Sequence, residues 1–271
     1  MAIGIVTAFF DIGRETWATR PNTPTWLARS TEDYFACFER MCRLENEIVV
    51  FTQVKFAERI AAARAKLGFE NQTRIVCKDD LFEDHAEELA KITRVMNLPG
   101  FLAGVTHPHC PEYWEPRYVL INYLKSAFAW EAVEQGLAVS EFLAWVDFGY
   151  CRDESVLPQP PTWDYPFSDK IHLFNIERPD SQDLVSIIKT NKVYFQGCHI
   201  VAPRKQWAEL RRLMRNAFEM LLSYDLMDDD QTLLLMAYRN APSLFETHFV
   251  DAGKSGWFVL FKDYSMRPRQ C

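Results

Sequence analysis

Residues 142–152 read FLAWVDFGYCR. Five apolar residues, two of them aromatic, run without a break into one carboxylate, Asp147, and a glycine follows two positions later. A short apolar run that stops at a turn signal reads as a strand buried on both faces, the kind found in a mostly parallel sheet. The strand is expected over 141–150. It delivers a lone acid to the sheet edge where α/β proteins bind ligands.

The flanking sequence supplies the rest of such a sheet. IGIVTAFF (3–10), EIVVFT (47–52) and TRIVCKDD (73–80) have the same character. Between the first two, Tyr34, Phe35, Phe38, Met41 and Cys42 recur at helical spacing within 30–44, and Ser30 or Thr31 can cap the helix. A second helix over 56–69 ends near Gly68. Strand, helix, strand, helix, strand is the order of a parallel sheet covered by helices. Further on, helices are expected over 81–98, 118–136, 205–226 and 228–245, and strands over 170–177 and 192–203. A strand-like tail is expected over 247–264. Residues 99–116 and 151–168 read as loops. No linker interrupts the order, so a single α/β domain spanning 1–271 is expected, with halves at 1–150 and 151–271.

The 271 residues carry a net charge of −7, which speaks against a nucleic-acid surface. No apolar run reaches the ~18 residues of a spanning helix, so membrane contact is expected to be peripheral at most. The N-terminus lacks the charged region and cleavage site of a secretory signal. Seven scattered cysteines with no CxxC read as reduced thiols, hence a cytoplasmic protein. HPHC (107–110) has no second ligand pair at zinc-finger spacing, so zinc is not expected there.

Several stretches carry candidate chemistry. Asp147 stands at a strand end, and Gly149 lets a ligand approach the backbone; alternatively Asp147 caps a turn or pairs with Arg152. At the exit of the first strand, Thr7, Asp11, Gly13 and Arg14 suit a base, ribose or phosphate, although neither GxGxxG nor GxxxxGK[ST] occurs. Asp228, Asp229, Asp230 and Gln231 suit an N-cap, or a set of acids whose mutual repulsion raises a pKa towards that of a base. His248 suits a divalent metal site begun by Asp147, and Lys254 a phosphate. Lys125 is either a surface cation or a partner for an anion at the Asp147 strand end.

In that order these parts resemble the GT-A fold of nucleotide-sugar glycosyltransferases. The blocks IVTAFFDIGR (5–14) and WVDFGYCR (145–152), with EIVVFT, resemble the HtrL/YibB (WlaTC/HtrL) family found in bacterial surface-polysaccharide clusters. The likeness covers about residues 3 to 262. It implies a hexosyltransferase using a nucleotide-sugar donor of the UDP type, and a glycan or glycolipid acceptor such as lipopolysaccharide core or O-antigen. It also implies that Thr7, Ala8 and Phe9 receive the base. Lys125, Asp147, Gly149, Tyr150, Gln231 and Lys254 would contact the donor, with Asp11 and Arg14. Asp147 and His248 would hold Mn²⁺ or Mg²⁺, and Asp230, or else Asp229, would act at the reacting sugar. The second acid of the DxD motif is replaced by Gly149. The alternative implied by that departure is a non-catalytic nucleotide-sugar or glycan-binding protein.

Overall fold

The structure is a computed structural model that describes residues 3–20, 23–250 and 256–265. Seven strands form one sheet: β1 (Gly4–Phe9), β2 (Ile48–Thr52), β3 (Thr73–Cys77), β4 (Phe142–Val146), β5 (Ile171–Asn175), β6 (His199–Pro203) and β7 (Phe245–Phe249). Their spatial order is β3-β2-β1-β4-β6-β5-β7. β6 alone runs against its neighbours, and every other pairing in the sheet is parallel. The expected α/β class with a mostly parallel sheet is what is found. Both halves of the chain contribute strands to that sheet.

The alternation of side chains along the strands builds two cores. Val6, Val49, Phe51, Leu143 and Trp145 face one layer, made of α4 (Ala86–Met96), α5 (Pro116–Glu134), α7 (Trp207–Ser223) and α8 (Asp230–Asn240). Ile5, Ile48, Val50, Ala144 and Val146 face the other, where α1 (Thr31–Met41), α2 (Val54–Ala65) and α9 (Leu260–Asp263) pack. The remaining helices, α3 (Leu81–Asp84) and α6 (Leu184–Thr190), are short. Ser30 caps α1 through a reciprocal box with Asp33. Close approach of β1 to β4 requires Gly4, because a Cβ there would lie 2.6 Å from Leu143 Cδ2.

Two expectations are corrected. Among the described residues the tail is a strand only over β7; residues 256–258 form a 3₁₀ turn and 260–263 a short helix, because Leu260 and Phe261 bury against the second core instead of continuing the sheet. The strand expected over 192–203 is confined to β6, and α6 lies in a stretch for which no element was expected. Among the described residues Cys37, Cys42, Cys77, Cys110, Cys151 and Cys198 are free thiols. No helix there is long and apolar enough to cross a membrane.

Candidate functional site

The parallel strands β1 and β4 end on the same edge, and a cavity of about 660 Å³ opens beyond them, a size typical of small-molecule sites. β4 stops at Val146, and the turn that follows is pinned from several sides. The Asp147 amide donates to the Cys198 carbonyl (2.9 Å) and the Tyr150 amide to the Asp147 carbonyl (2.9 Å). Phe148 stacks on Phe38 at 4.3 Å and on Phe9 at 4.9 Å, anchoring the turn in the second core. The Tyr150 hydroxyl accepts from the Leu260 amide at 3.0 Å. These anchors explain why an apolar strand can end on a carboxylate held in one place.

Asp147 meets its partner from α5. The Lys125 ammonium is 3.0 Å from Asp147 Oδ1 and 2.8 Å from Asp230 Oδ2, and it donates to the Gly197 carbonyl at 2.9 Å. Trp145 Nε1 also donates to Asp147 Oδ1, at 2.8 Å. Burial alone would lower the Lys125 pKa, but the two carboxylates outweigh it and raise it, so the side chain is held charged. Gly197 is obligatory here: a Cβ would lie 2.2 Å from Asp230 Oδ2.

Beyond Lys125 the cleft wall is acidic. Asp229 caps α8 by accepting from the Gln231 amide at 3.0 Å, and Thr232 Oγ1 donates to Asp228 at 2.7 Å. Glu112, on the turn before α5, accepts from Asn191 Nδ2 at 2.5 Å. Burial is the main force raising these pKa values, and mutual repulsion adds to it. Glu112 is pushed up to about 8 and Asp228 to about 7, and Asp229 is raised well above the ordinary carboxylate value. Asp230 is raised by burial against the opposing pull of Lys125.

The opposite flank is cationic and aromatic. Arg29, Arg152, Arg14 and Tyr34 line it around Gly149. A Cβ on Gly149 would come within 3.0 Å of the Tyr34 ring and 3.8 Å of Arg29 Nη1. Arg14 is committed to shaping the rim, donating to the Tyr34 hydroxyl and, at 3.1 Å, to the Leu27 carbonyl. No ion pair among the described residues engages Arg29 or Arg152; the Arg152 pKa is lowered, first by burial and then by Arg29 beside it.

Ala8, Phe9, Asp11, Arg14, Lys125, Asp147, Gly149, Tyr150, Asp229, Asp230 and Gln231 therefore line one cavity. Asp11 serves the loop rather than open space: it accepts from the Gly13 amide at 2.9 Å and pairs with Lys55 at 3.2 Å. Thr7 is buried within β1 and is not among the lining residues. Lys254 lies outside the described residues. The expected pairing of Asp147 with His248 is corrected, since His248 is not among the lining residues and belongs to β7, separated from β4 by β6 and β5. Its ring instead meets His172, with Nε2 2.8 Å from His172 Nδ1, beside Glu246. The residues present thus do not fit a divalent clamp made of Asp147 and His248. Sequence reasoning missed Glu112 and Arg29 and gave Arg152 only as a partner of Asp147, which pairs with Lys125 instead; an acid wedged among aromatics and prolines in PEYWEP was the available signal for the first.

Among solved structures, the crystal structure of mouse xyloside xylosyltransferase 1 in its apo form aligns with a TM-score of 0.41 at 10% identity, covering 99% of this chain and 95% of that one. Protein HtrL of Escherichia coli (strain K12) is 33% identical over 265 residues, which is 95% of this chain and 90% of that protein. Residues 1–266 match the family model described as "Bacterial protein of unknown function (HtrL_YibB)". The chain belongs to the HtrL_YibB family.

Proposed function

We propose that this protein is a glycosyltransferase that moves a hexose from a nucleotide-sugar donor, of the UDP type, to a glycan or glycolipid acceptor at a bacterial surface-polysaccharide assembly site. The observation that carries the reading is the polarity of the cleft. Two guanidinium groups without carboxylate partners among the described residues, Arg29 and Arg152, flank Gly149 on one side, and the buried acids Glu112 and Asp229, whose pKa values burial raises, lie on the other. A diphosphate suits the first side, because arginine binds phosphate oxygens in a bidentate fork. Negative charge grows on the leaving diphosphate as the glycosidic bond breaks, so these cations stabilise the transition state more than the ground state. Lys125 offsets one of the two charges of Asp147 and Asp230, which lowers the repulsion an anionic donor meets in a cleft rich in acids.

The acceptor hydroxyl then loses its proton to a carboxylate. Asp230 is tied to Lys125, whereas Asp229 lines the cavity, and the burial that raises its pKa makes its carboxylate the stronger base. Asp229 is therefore the preferred base. The first half, 1–150, would hold the donor together with Arg152 from the start of the second, and the rest of 151–271 the acceptor. No step is routed through Mn²⁺ or Mg²⁺, since the cleft does not assemble the expected clamp. A cytoplasmic location with peripheral contact to a glycolipid acceptor is consistent with this chemistry.

Non-catalytic nucleotide-sugar binding is the second reading, favoured by Gly149 standing where a second metal-binding acid would be and by Asp230 being engaged. One experiment separates the two: thermal shift and donor turnover with UDP-, GDP-, CMP- and dTDP-sugars, each with and without Mn²⁺. The transferase reading expects binding and nucleotide release with one donor class. Binding without turnover in the presence of glycan acceptors would favour the second reading, and no binding of any nucleotide would sink both.

A further inference from the structure

We infer that His172, Glu246 and His248 form a second site, outside the cleft, that binds one divalent transition-metal ion of the zinc class and ties edge strand β7 to β5. The three side chains each offer a ligand atom, and these atoms lie within 4.8 Å of one another. β5 and β7 are parallel, with His172 opposite Glu246 and Phe174 opposite His248. That register places both imidazoles and the carboxylate on one face of the sheet, because alternate residues share a face.

The second observation is how the ligands are oriented. His172 Nε2 lies 2.9 Å from the Ser168 carbonyl, which can only accept, so Nε2 carries the ring proton and Nδ1 is left with a free lone pair. That lone pair points at His248 Nε2, 2.8 Å away. A ligating histidine ordinarily donates its other ring N–H to a carbonyl or carboxylate, and this is the arrangement seen at His172. The Ser168 hydroxyl meanwhile donates to Glu246 Oε2 at 2.5 Å, leaving Oε1, 4.0 Å from His248 Nε2, as the free oxygen. One residue thus orients two of the three ligands.

The chemistry of the set selects the ion. Two imidazoles and one carboxylate suit zinc and its neighbours, not magnesium or calcium, which take oxygen. Zinc sits about 2.0–2.1 Å from imidazole nitrogen, which places two tetrahedral nitrogens about 3.3 Å apart, so the pair must open by roughly half an ångström. On binding, His248 shifts its proton from Nε2 to Nδ1, and no net proton is released. His172 is wholly buried, but Glu246 is half exposed, so the ion has an entry path and water can complete the fourth position. Phe167, Phe174 and Tyr264 enclose the rings and fix their planes.

The test uses the full chain, stripped with chelator and dialysed. Zn²⁺ is titrated by calorimetry, and Co²⁺ is followed by its visible absorption, which is intense when the ion is four-coordinate. One ion per chain is expected, with a higher melting temperature. Glu246→Gln and His248→Asn, both at partly exposed positions, should each weaken binding at least ~10-fold with unchanged circular dichroism. Asp147→Asn, in the cleft, should bind the ion like wild type. Binding that survives both ligand substitutions, or that is lost on Asp147→Asn, overturns the assignment, as does the absence of any bound ion. None of these readouts depends on sugar transfer, so the outcome is independent of the proposed activity.

Discussion

Replacing Lys125 with methionine would remove the only cation among the described residues in contact with Asp230 while nearly preserving side-chain length. Lys125 is 4% exposed and Asp230 2%, so water cannot take the ammonium's place. Two acceptors lose their Lys125 donor, Asp230 Oδ2 at 2.8 Å and the Gly197 carbonyl at 2.9 Å, and Asp147 Oδ1 loses a contact of 3.0 Å but keeps the Trp145 Nε1 donor. Stripping one partner from a buried ion pair costs about 3–5 kcal/mol. Asp230 can limit that loss by taking up a proton, and this gives the variant a pH signature. The pKa of Asp230 is already raised by burial, and losing Lys125 raises it further above the unfolded value. An acid whose folded pKa is raised contributes stability at low pH and loses it as pH rises through the folded pKa. The deficit of Lys125→Met should therefore grow with pH, by up to about 1.4 kcal/mol per pH unit for one proton. Adding Asp230→Asn should recover about 2 kcal/mol relative to the sum of the single changes, because the stranded charge is gone. Guanidinium unfolding of the four proteins across pH 5–9 measures both quantities. A deficit that is flat with pH, together with additive single costs, would refute the account of Lys125 as the counter-charge of a buried acid.

Glu112→Gln addresses the acid whose pKa rises from 4.5 to about 8. The wild type should lose stability as pH climbs through that window, and the variant should lose about 1.4 kcal/mol per pH unit less, because amide and neutral acid are alike in shape; identical pH slopes in chemical unfolding would count against it. Gly197→Ala puts a methyl group 2.2 Å from Asp230 Oδ2, so it should cost about 1–3 kcal/mol and abolish the Lys125–Asp230 coupling in a mutant cycle. Asp229→Asn should cut transfer by about 10²–10⁴-fold while nucleotide affinity, read by calorimetry, stays within a few-fold, and unchanged turnover would move the base elsewhere.

Most of the cleft was legible in the sequence because strand ends are. A run such as FLAWV must be buried, and burial stops where the charge begins, so Asp147 could be located without coordinates. The same holds for the exit of β1 and for the acids at the start of α8, where an N-cap is a local matter. Glu112 was illegible because its importance comes from what surrounds it. An acid in a loop is ordinarily solvated; burial first, and then the repulsion of Asp229, makes this one hold a proton near neutral pH against the opposing pull of the Asn191 amide.

His248 shows the boundary most sharply. Its type suggested a metal ligand, and Asp147 was the acid at hand, but a pairing between residues a hundred positions apart depends on strand order. That order inserts β6 and β5 between them and brings His172 against His248 instead. By itself the sequence determined the alternation of strand and helix, the buried faces and the residues at strand ends, because these follow from local hydrophobic periodicity. The tertiary structure alone decided which charges meet, that Lys125 is the buried partner of two acids, and that the imidazoles gather at the sheet edge, because such contacts depend on how distant segments are arranged in space.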